Sequence, residues 1–400
     1  MSWCRHPWLR RLKSCAAICH ARVSKPGDRR GYGYQTSSTI RYRSASRTSA
    51  NRTEYKSSVL TKSSQTIDVD NPELAVTITP VTLLSGFLGS GKTTVLAHAL
   101  EQPALSNAVV IINEFGEVSI DHLIVADLAE NILELRNGCL CCTIRGDLVM
   151  TLRDLHRRRQ LQEIKAFNQV VVEASGLADP VPIAHTLMAN PPIMSAYRLD
   201  GIICVVDGLN GANTLLAHET AGNQVALADL VIISKSDIAS STQVDAAQVA
   251  VESINRSAQI IRVVGGDIDA GQLFGRHLFN PELRGTEIDA WMTIHGGHSH
   301  ESIYATHSIN SFGTLSLAGT SVFLNHVVNQ YRDSILRIKG IAGFREKGGK
   351  PALLHAVQDK FYPVAWLDDW PSEDHSNRLV FIGRGLDPDW LDAKFQSLCV

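Results

Sequence analysis

Three cysteines lie within four positions of one short segment, NGCLCC, residues 137–142. In an extended backbone Cys139 and Cys141 point to one side and Cys142 points to the other. Thiolates bind borderline ions such as Zn²⁺, and a closed structural zinc site needs four protein ligands. This segment offers at most three of them. An incomplete site of this kind predicts an ion that is transferred rather than held permanently.

The missing ligands must come from elsewhere in the chain. The nearest candidates are Glu114, Glu117 and His122, and we select Glu117 as the additional metal ligand. Three other interpretations of the cysteines stay open. They are a permanent structural zinc site, a catalytic redox thiol and a set of small side chains in a core.

A second segment, VTITPVTLLSGFLGSGKTTVLAHAL, joins an apolar β-rich run to a helical period through a glycine loop. Gly86, Gly91, Lys92 and Thr93 satisfy the pattern G-x-x-x-x-G-K-[ST]. Backbone N–H groups of such a loop surround phosphate oxygens, the lysine places a cation on the β- and γ-phosphates, and the threonine hydroxyl binds Mg²⁺. The segment predicts a nucleoside triphosphate site in which Lys92 is catalytic.

Further parts of a nucleotide switch follow along the chain. The run NQVVVEASGLADP reads as a buried strand that ends in Glu173, followed by a turn with Gly176. A carboxylate there can hold Mg²⁺ through water or orient the attacking water, and the Gly176 N–H can donate to the γ-phosphate. An ordinary strand and turn is the alternative. We predict a catalytic role for Glu173.

The strand pattern ADLVIISKSDI ends in Lys235 and Asp237. The aspartate can accept hydrogen bonds from both N1 and the exocyclic N2 of guanine, and adenine cannot donate this pair of hydrogen bonds. The lysine stem covers the base. This predicts GTP rather than ATP. Alternating strands and helices predict an α/β fold with a parallel sheet that is covered by helices on both faces.

Charge divides the chain after Gln65. Residues 1–65 hold 14 Lys and Arg against two acids, whereas the rest holds 24 against 38. The basic segment, rich in Arg and Ser, is typical of a mitochondrial transit peptide, and a disordered basic tail or a nucleic-acid-binding arm in a cytoplasmic protein is the alternative. The acidic remainder argues against a nucleic-acid partner for the folded body. No apolar run approaches eighteen residues, so no membrane span is expected.

Five segments together resemble, in order, the motifs of the CobW-like family of P-loop GTPases, the zinc metallochaperones related to the nickel-insertion GTPases of urease and hydrogenase. The segments are LLSGFLGSGKTT, INEFGEVSID, NGCLCC, VVVEASGLADP and ISKSD. The resemblance covers residues 76 to about 398, because ILRIKGI and NRLVFIGRGLD look like strands of the CobW C-terminal domain.

The resemblance implies roles for individual residues. It makes Cys139, Cys141 and Cys142 the metal-binding set, Glu173 the acid that positions magnesium or water, and Lys235 and Asp237 the guanine reader. The implied phosphate loop contains Gly86, Gly89, Ser90, Gly91, Lys92, Thr93 and Thr94. Guanine readers most often have Asn where this chain has Ser234, so we expect a weaker preference for guanine.

Four histidines, His295, His298, His300 and His307, lie where the family often carries a His-rich tract. They bind zinc weakly or belong to a solvated linker. Short strand patterns beyond them, with helices at about 319–334 and 387–398, predict a small ferredoxin-like α+β domain. The predicted organisation is a leader (1–75), a GTPase domain (76–280), a linker (281–305) and a C-terminal domain (306–400).

These observations predict a metallochaperone that hydrolyses GTP with Mg²⁺ and delivers Zn²⁺ to an apo-metalloprotein client. In the expected switch, GTP organises residues 113–121 and brings a Glu toward the cysteines. Two alternatives remain: a cofactor-assembly factor of the cobalamin type that handles Co²⁺, and a regulatory GTPase whose cysteines sense oxidation.

Overall fold

The computed structural model describes residues 78–113, 132–134, 143–274 and 303–399. The elements of the first domain are β1 (Thr79–Gly86), α1 (Lys92–Leu100), β2 (Ala108–Asn113), β3 (Ile132–Glu134), α2 (Thr143–Gln160), β4 (Gln169–Ala174), α3 (Val181–Ala189), α4 (Pro191–Met194), β5 (Tyr197–Asp207), α5 (Gly211–Ala217), α6 (Glu219–Leu227), β6 (Leu230–Ser234), α7 (Ser241–Ile254), β7 (Gln259–Arg262) and α8 (Ala270–Leu273). The elements of the second domain are β8 (Tyr304–Ser311), α9 (Leu317–Tyr331), β9 (Ile335–Gly343), β10 (Pro351–Val357), β11 (Lys360–Phe361), β12 (Ala365–Trp366), β13 (Asn377–Arg384) and α10 (Pro388–Leu398).

Within the described ranges, seven strands of the first domain form one sheet in the order β3-β2-β4-β1-β5-β6-β7. Every neighbouring pair is parallel. A parallel sheet is buried on both faces, which explains why β4, QVVVEA, has consecutive valines at its centre and is buried throughout. Ligands bind at the carboxyl ends of such strands. The predicted P-loop NTPase fold is confirmed.

Successive residues of the strands pack alternately into two hydrophobic cores, one on each face of the sheet. Val81 and Leu83 of β1 pack in the same cluster as Leu152 of α2. Leu84 points the other way and packs with Leu96 of α1. Because successive side chains of a strand face opposite sides, this alternation fixes the register of β1 and sets the start of the glycine loop that follows it.

The second domain is an antiparallel sheet in the order β11-β10-β9-β13-β8, with β12 paired to β10. Strand β13 lies between β8 and β9, which α9 connects, so these elements form the split β-α-β unit of ferredoxin-like folds. Helices α9 and α10 pack on one face, where Phe323 meets Phe381 and Phe395 edge-on at 5.8 and 5.6 Å between ring centroids. The two predicted helices of this domain are confirmed.

The opposite face of the second sheet packs against the first domain and buries charges there. Asp229 Oδ1 lies 2.6 Å from Arg337 Nη2 and 3.2 Å from Lys339 Nζ, and all three side chains are buried. Burial, and in second place the nearby Arg337, lowers the pKa of His355 well below its usual value. The imidazole is therefore neutral and adds no third positive charge to the cluster. Asp229 immediately precedes β6, so the contact joins the second domain to the nucleotide sheet.

No helix in the described part of the chain combines the length and the apolar composition that a bilayer crossing requires.

Candidate functional site

The glycine loop runs from the end of β1 to the start of α1, at the carboxyl edge of the sheet. Gly86 has a φ of 139°, and a Cβ on it would lie 2.3 Å from the carbonyl oxygen of Val205. Gly91, the residue before α1, has a φ of 91°. Both positions therefore require glycine. The resulting turn aims the first N–H groups of α1 into the loop, which is the arrangement that binds phosphate.

Lys92 is folded over this loop. Its Nζ donates hydrogen bonds to the carbonyl oxygens of Gly86 at 3.0 Å and Phe87 at 3.3 Å. The side chain is buried, and these bonds satisfy two of its three N–H donors. The cation thus lies beside the backbone of the glycine loop, and its contact with the β- and γ-phosphates stays a prediction.

Thr93, in the first turn of α1, meets Glu173 near the end of β4. The Thr93 hydroxyl donates to Glu173 Oε1 at 2.8 Å, and Glu173 is 2% exposed. The contact forms because β4 is the neighbour of β1, with Glu173 in register with Leu84. A hydroxyl and a carboxylate are hard oxygen ligands, which Mg²⁺ prefers, so the pair fits the predicted magnesium site.

The turn after β4 packs directly on the glycine loop. A Cβ on Gly176 would lie 2.7 Å from Leu88 Cδ2 and 2.8 Å from Leu88 Cα. On its other side, Gln224 Nε2 donates to the carbonyl oxygens of Gly176 at 3.3 Å and Ala178 at 3.1 Å. Gln224 is fully buried in α6, and the sequence analysis did not identify it.

Ser234 occupies the position where guanine readers most often have Asn. Its hydroxyl donates to the carbonyl oxygen of Ser90 at 2.6 Å and also lies 3.2 Å from that of Val206. The side chain is therefore directed at the glycine loop. The short hydroxyl of Ser234 is long enough for this contact. The bond connects the end of β6 to the glycine loop.

Lys235 and Asp237 follow Ser234 in the loop after β6. Lys235 Nζ pairs with Asp207 Oδ2 at 2.9 Å. Burial opposes ionisation of Asp207, but hydrogen bonds from Lys235 and from the Leu209 N–H outweigh it and lower the pKa of this carboxyl. Asp237 is exposed, and its Oδ1 accepts a hydrogen bond from the Gly265 N–H at 3.2 Å. The two predicted readers thus lie in one loop, with Asp237 open to solvent.

A third loop, which the sequence analysis did not identify, closes this side of the site. Gly265 and Gly266 after β7 have φ values of 60° and 87°. A Cβ on Gly266 would lie 2.7 Å from His98 Cδ2 and 3.0 Å from Thr94 Cγ2 on α1. The adjacent glycines of VVGGD, Gly265 and Gly266, were the available signal for a loop that approaches the site closely.

Several predicted metal ligands lie outside the described residues: Glu114, Glu117, His122, Cys139, Cys141, Cys142, His295, His298 and His300. His307 is described, and the structure places it on β8, with Nε2 2.9 Å from Asp392 Oδ1. It is therefore a strand residue and not part of a linker. Strand β8 begins at Tyr304, inside the predicted linker 281–305. In the described part of the chain, no group of three or more His, Cys, Asp or Glu is arranged to hold a metal ion.

The two cysteines that the structure describes are both free and buried, Cys204 in β5 and Cys399 after α10. Burial raises the pKa of Cys204 to about 12 and that of Cys399 to about 11. Neither is a thiolate at neutral pH, and the thiolate is the form that binds metal and attacks electrophiles.

Two family descriptions match the chain. Residues 80–262 match "CobW/HypB/UreG, nucleotide-binding domain", and residues 305–399 match "Cobalamin synthesis protein cobW C-terminal domain". Together they span both domains of the fold.

Similar proteins cover the same region. The Zinc chaperone YjiA of Escherichia coli K12 is 32% identical over 319 residues, which is 80% of this chain and 98% of YjiA. The Zinc-regulated GTPase metalloprotein activator 1 of Schizosaccharomyces pombe is 33% identical over 197 residues, 48% of this chain and 47% of that protein. The crystal structure of Zn(II)-bound YjiA GTPase from E. coli superposes with a TM-score of 0.62 at 26% identity and covers 80% of this chain and 99% of that one.

Proposed function

Because this chain belongs to the CobW/HypB/UreG family of P-loop GTPases, we propose that it is a metallochaperone that binds Zn²⁺ through Cys139, Cys141 and Cys142. GTP hydrolysis drives transfer of the ion to an apo-metalloprotein client. The similarity to YjiA, whose name describes a zinc chaperone, supports the choice of zinc.

The described residues supply the parts that GTP hydrolysis needs. Lys92 and the N–H groups of the glycine loop hold the β- and γ-phosphates, and the Gly176 N–H donates to the γ-phosphate. When bound, Mg²⁺ would supply positive charge that neutralises the negative charge developing on the phosphates. Thr93 and Glu173 would hold this ion, directly or through water. Glu173 also has the position to orient the attacking water.

Guanine recognition rests on the loop after β6. The Asp237 carboxylate accepts the N1 and N2 hydrogens of the base, and the Lys235 stem covers its face. Ser234 fixes this loop to the glycine loop through the carbonyl oxygen of Ser90. Base and phosphate recognition are thereby held in a fixed relation, which is a form of preorganisation.

The register of β3 and β4 on β2 is the observation that relates the cysteine segment to the nucleotide site. Glu134, the last residue of β3, and Glu173, the last but one of β4, are both in register with Ile112 of the strand between them. Two strand spacings separate their Cα atoms, which amounts to about 10 Å. Cys139 follows Glu134 by five residues, a span of at most about 18 Å. The chain between Glu134 and Cys139 is therefore long enough for the thiols to approach Glu173, and this supports the proposed link.

This placement supports a switch in which nucleotide and metal occupancy are linked. Binding of GTP would organise residues 113–121, with Glu117 completing the thiolate site, and hydrolysis would withdraw that ligand and release the ion. The donor set also accepts Co²⁺, as expected for a cofactor-assembly factor, since selectivity among such ions depends on geometry and supply. Metal analysis of protein purified from its own cells distinguishes the two ions.

Zinc binding by the purified chain tests the proposal. The wild-type chain should bind zinc, and the triple variant Cys139→Ser, Cys141→Ser, Cys142→Ser should lose it while keeping its affinity for GTP. Cys204→Ala is the matched control, because that thiol is buried and protonated, and it should retain zinc. Unchanged metal content in the triple variant would contradict the proposal and favour a redox-sensing GTPase.

We also propose that residues 1–75 direct the protein to the mitochondrial matrix. The support is the basic, Arg- and Ser-rich composition of residues 1–65. A fusion of residues 1–65 to a fluorescent reporter should enter mitochondria. A reporter that stays in the cytosol would contradict this location.

A further inference from the structure

Helix α6 (Glu219–Leu227), together with the preceding residue His218, contacts both nucleotide loops and also the second domain. His218, the residue before the helix, stacks on Phe87 of the glycine loop with 4.6 Å between ring centroids and 22° between the rings. Gln224 holds the carbonyl oxygens of Gly176 and Ala178. One helix therefore contacts the phosphate loop and the loop that faces the γ-phosphate.

Gln224 has little freedom in this contact. The side chain is 0% exposed, and its amide nitrogen donates to carbonyls on both sides of Leu177. Two bonds to one short turn fix its orientation, and with it the direction of the Gly176 N–H. A shift of α6 along its axis would move this turn relative to the glycine loop, on which Gly176 packs without space for a Cβ.

Tyr304, the first residue of β8, joins the second domain to the same helix. Its hydroxyl lies 3.1 Å from the carbonyl oxygen of Glu219 and 3.1 Å from Asn223 Oδ1. Its ring packs on Gly222 so closely that a Cβ there would lie 2.4 Å from the hydroxyl oxygen. Burial raises the pKa of Tyr304 to about 12, so the hydroxyl remains a donor at physiological pH. Arg384 of β13 also pairs with Glu219.

We propose that α6 is the element through which the second domain controls the GTP-bound state, with Gln224 as the positioning residue for the Gly176 turn. The proposal rests on the proposed GTPase function and adds its regulation. A client or ion that displaces the second domain would move Tyr304, then α6, then the turn that senses the γ-phosphate. GDP lacks the γ-phosphate, so its affinity should not depend on this connection.

The test compares two affinities in the full chain: that for a non-hydrolysable GTP analogue and that for GDP. Gln224→Met removes the amide donors at nearly constant volume. It should reduce the ratio of analogue affinity to GDP affinity about three- to tenfold, the range expected for a hydrogen bond. Tyr304→Phe removes only one hydroxyl and should change the ratio in the same direction. A general loss of folding would weaken both nucleotides equally and leave the ratio unchanged.

Tyr331→Phe is the matched control, because the Tyr331 hydroxyl accepts a hydrogen bond from the Asp387 N–H within the second domain. It should leave the ratio unchanged. If Tyr304 acts through Gln224, the double variant should resemble Gln224→Met alone. Ratios within twofold of wild type in both single variants, with GDP affinity equal to that of wild type, would overturn the inference, as would an additive double variant. Wild-type GTP binding would then leave the proposed function intact. Failure of the wild-type chain to bind GTP would overturn both.

Discussion

The hydroxyl of Ser234 donates a hydrogen bond to the carbonyl oxygen of Ser90 at 2.6 Å, and this bond joins the end of β6 to the glycine loop. Ser234 is 3% exposed, so water cannot replace the bond easily. The end of β6 and the glycine loop therefore behave as one rigid site. Nucleotide affinity should depend on a residue that touches neither the base nor the phosphates.

Replacing Ser234 with Ala tests this dependence. The change leaves the buried Ser90 carbonyl without its donor, at a cost of about 1–3 kcal/mol. We expect affinities for GTP and GDP to fall together by about tenfold, as measured by calorimetry. Ser236→Ala is the control, because that hydroxyl donates to the nearby Ile233 carbonyl of β6 at 3.2 Å and not to the glycine loop. Equal effects of the two substitutions would contradict the account.

Thr93 should determine the magnesium dependence of hydrolysis. Thr93→Val removes the hydroxyl that meets Glu173 and should lower the rate of GTP hydrolysis by about 10²-fold, comparable to loss of one oriented group in an active site. Thr93→Ser keeps the hydroxyl and should retain most of the activity. A magnesium titration of the hydrolysis rate in each variant is the measurement. Similar rates in the Val and Ser variants would show that the hydroxyl is not a ligand.

Asp237 should set the preference for guanine. In Asp237→Asn the amide offers a donor where the exocyclic N2 of guanine also donates, so GTP affinity should fall by about 2 kcal/mol, roughly thirtyfold. Xanthosine triphosphate carries a carbonyl at that position and should gain affinity. Competition binding measures both nucleotides. The control is Asp245→Asn, which removes an exposed acid of α7 paired with Arg262 and should change the affinity for neither nucleotide. An Asp237→Asn variant that keeps its preference for GTP would contradict the assignment.

The buried cluster between the domains should be important for stability. Asp229→Ala leaves Arg337 and Lys339 buried without their carboxylate, which costs about 3–5 kcal/mol. Urea denaturation should show this loss. Asp368→Ala removes the acid of the Lys350 pair, whose side chain is 98% exposed, and should cost less than about 1 kcal/mol. Comparable losses in the two variants would contradict a buried cluster.

Motifs with short spacing could be predicted from the sequence, because local backbone geometry determines them. The glycine loop is the clearest case, since Gly86 and Gly91 require positive φ values within one turn of the chain. The strand that ends in Glu173 was predicted from its apolar run. The approach of Glu173 to Thr93 depends in addition on β4 lying next to β1, an order that local patterns do not determine.

Residues that act over long separations could not be predicted. Gln224 lies in ETAGNQVAL, where nothing distinguishes it from a solvent-exposed glutamine of an ordinary helix. Its role arises from carbonyl oxygens 46 and 48 positions away. Similarly, Arg337 and Lys339 read as the polar positions of a strand, yet both are buried because their partner, Asp229, comes from the other domain.

Zinc binding and binding of the γ-phosphate should be thermodynamically coupled in this protein. The direct measurement is the Zn²⁺ affinity of the full chain in the presence of a non-hydrolysable GTP analogue and of GDP, both with Mg²⁺. We predict tighter zinc binding with the analogue by at least about fivefold, and zinc should tighten analogue binding by the same factor. Equal zinc affinities with the two nucleotides would contradict the account.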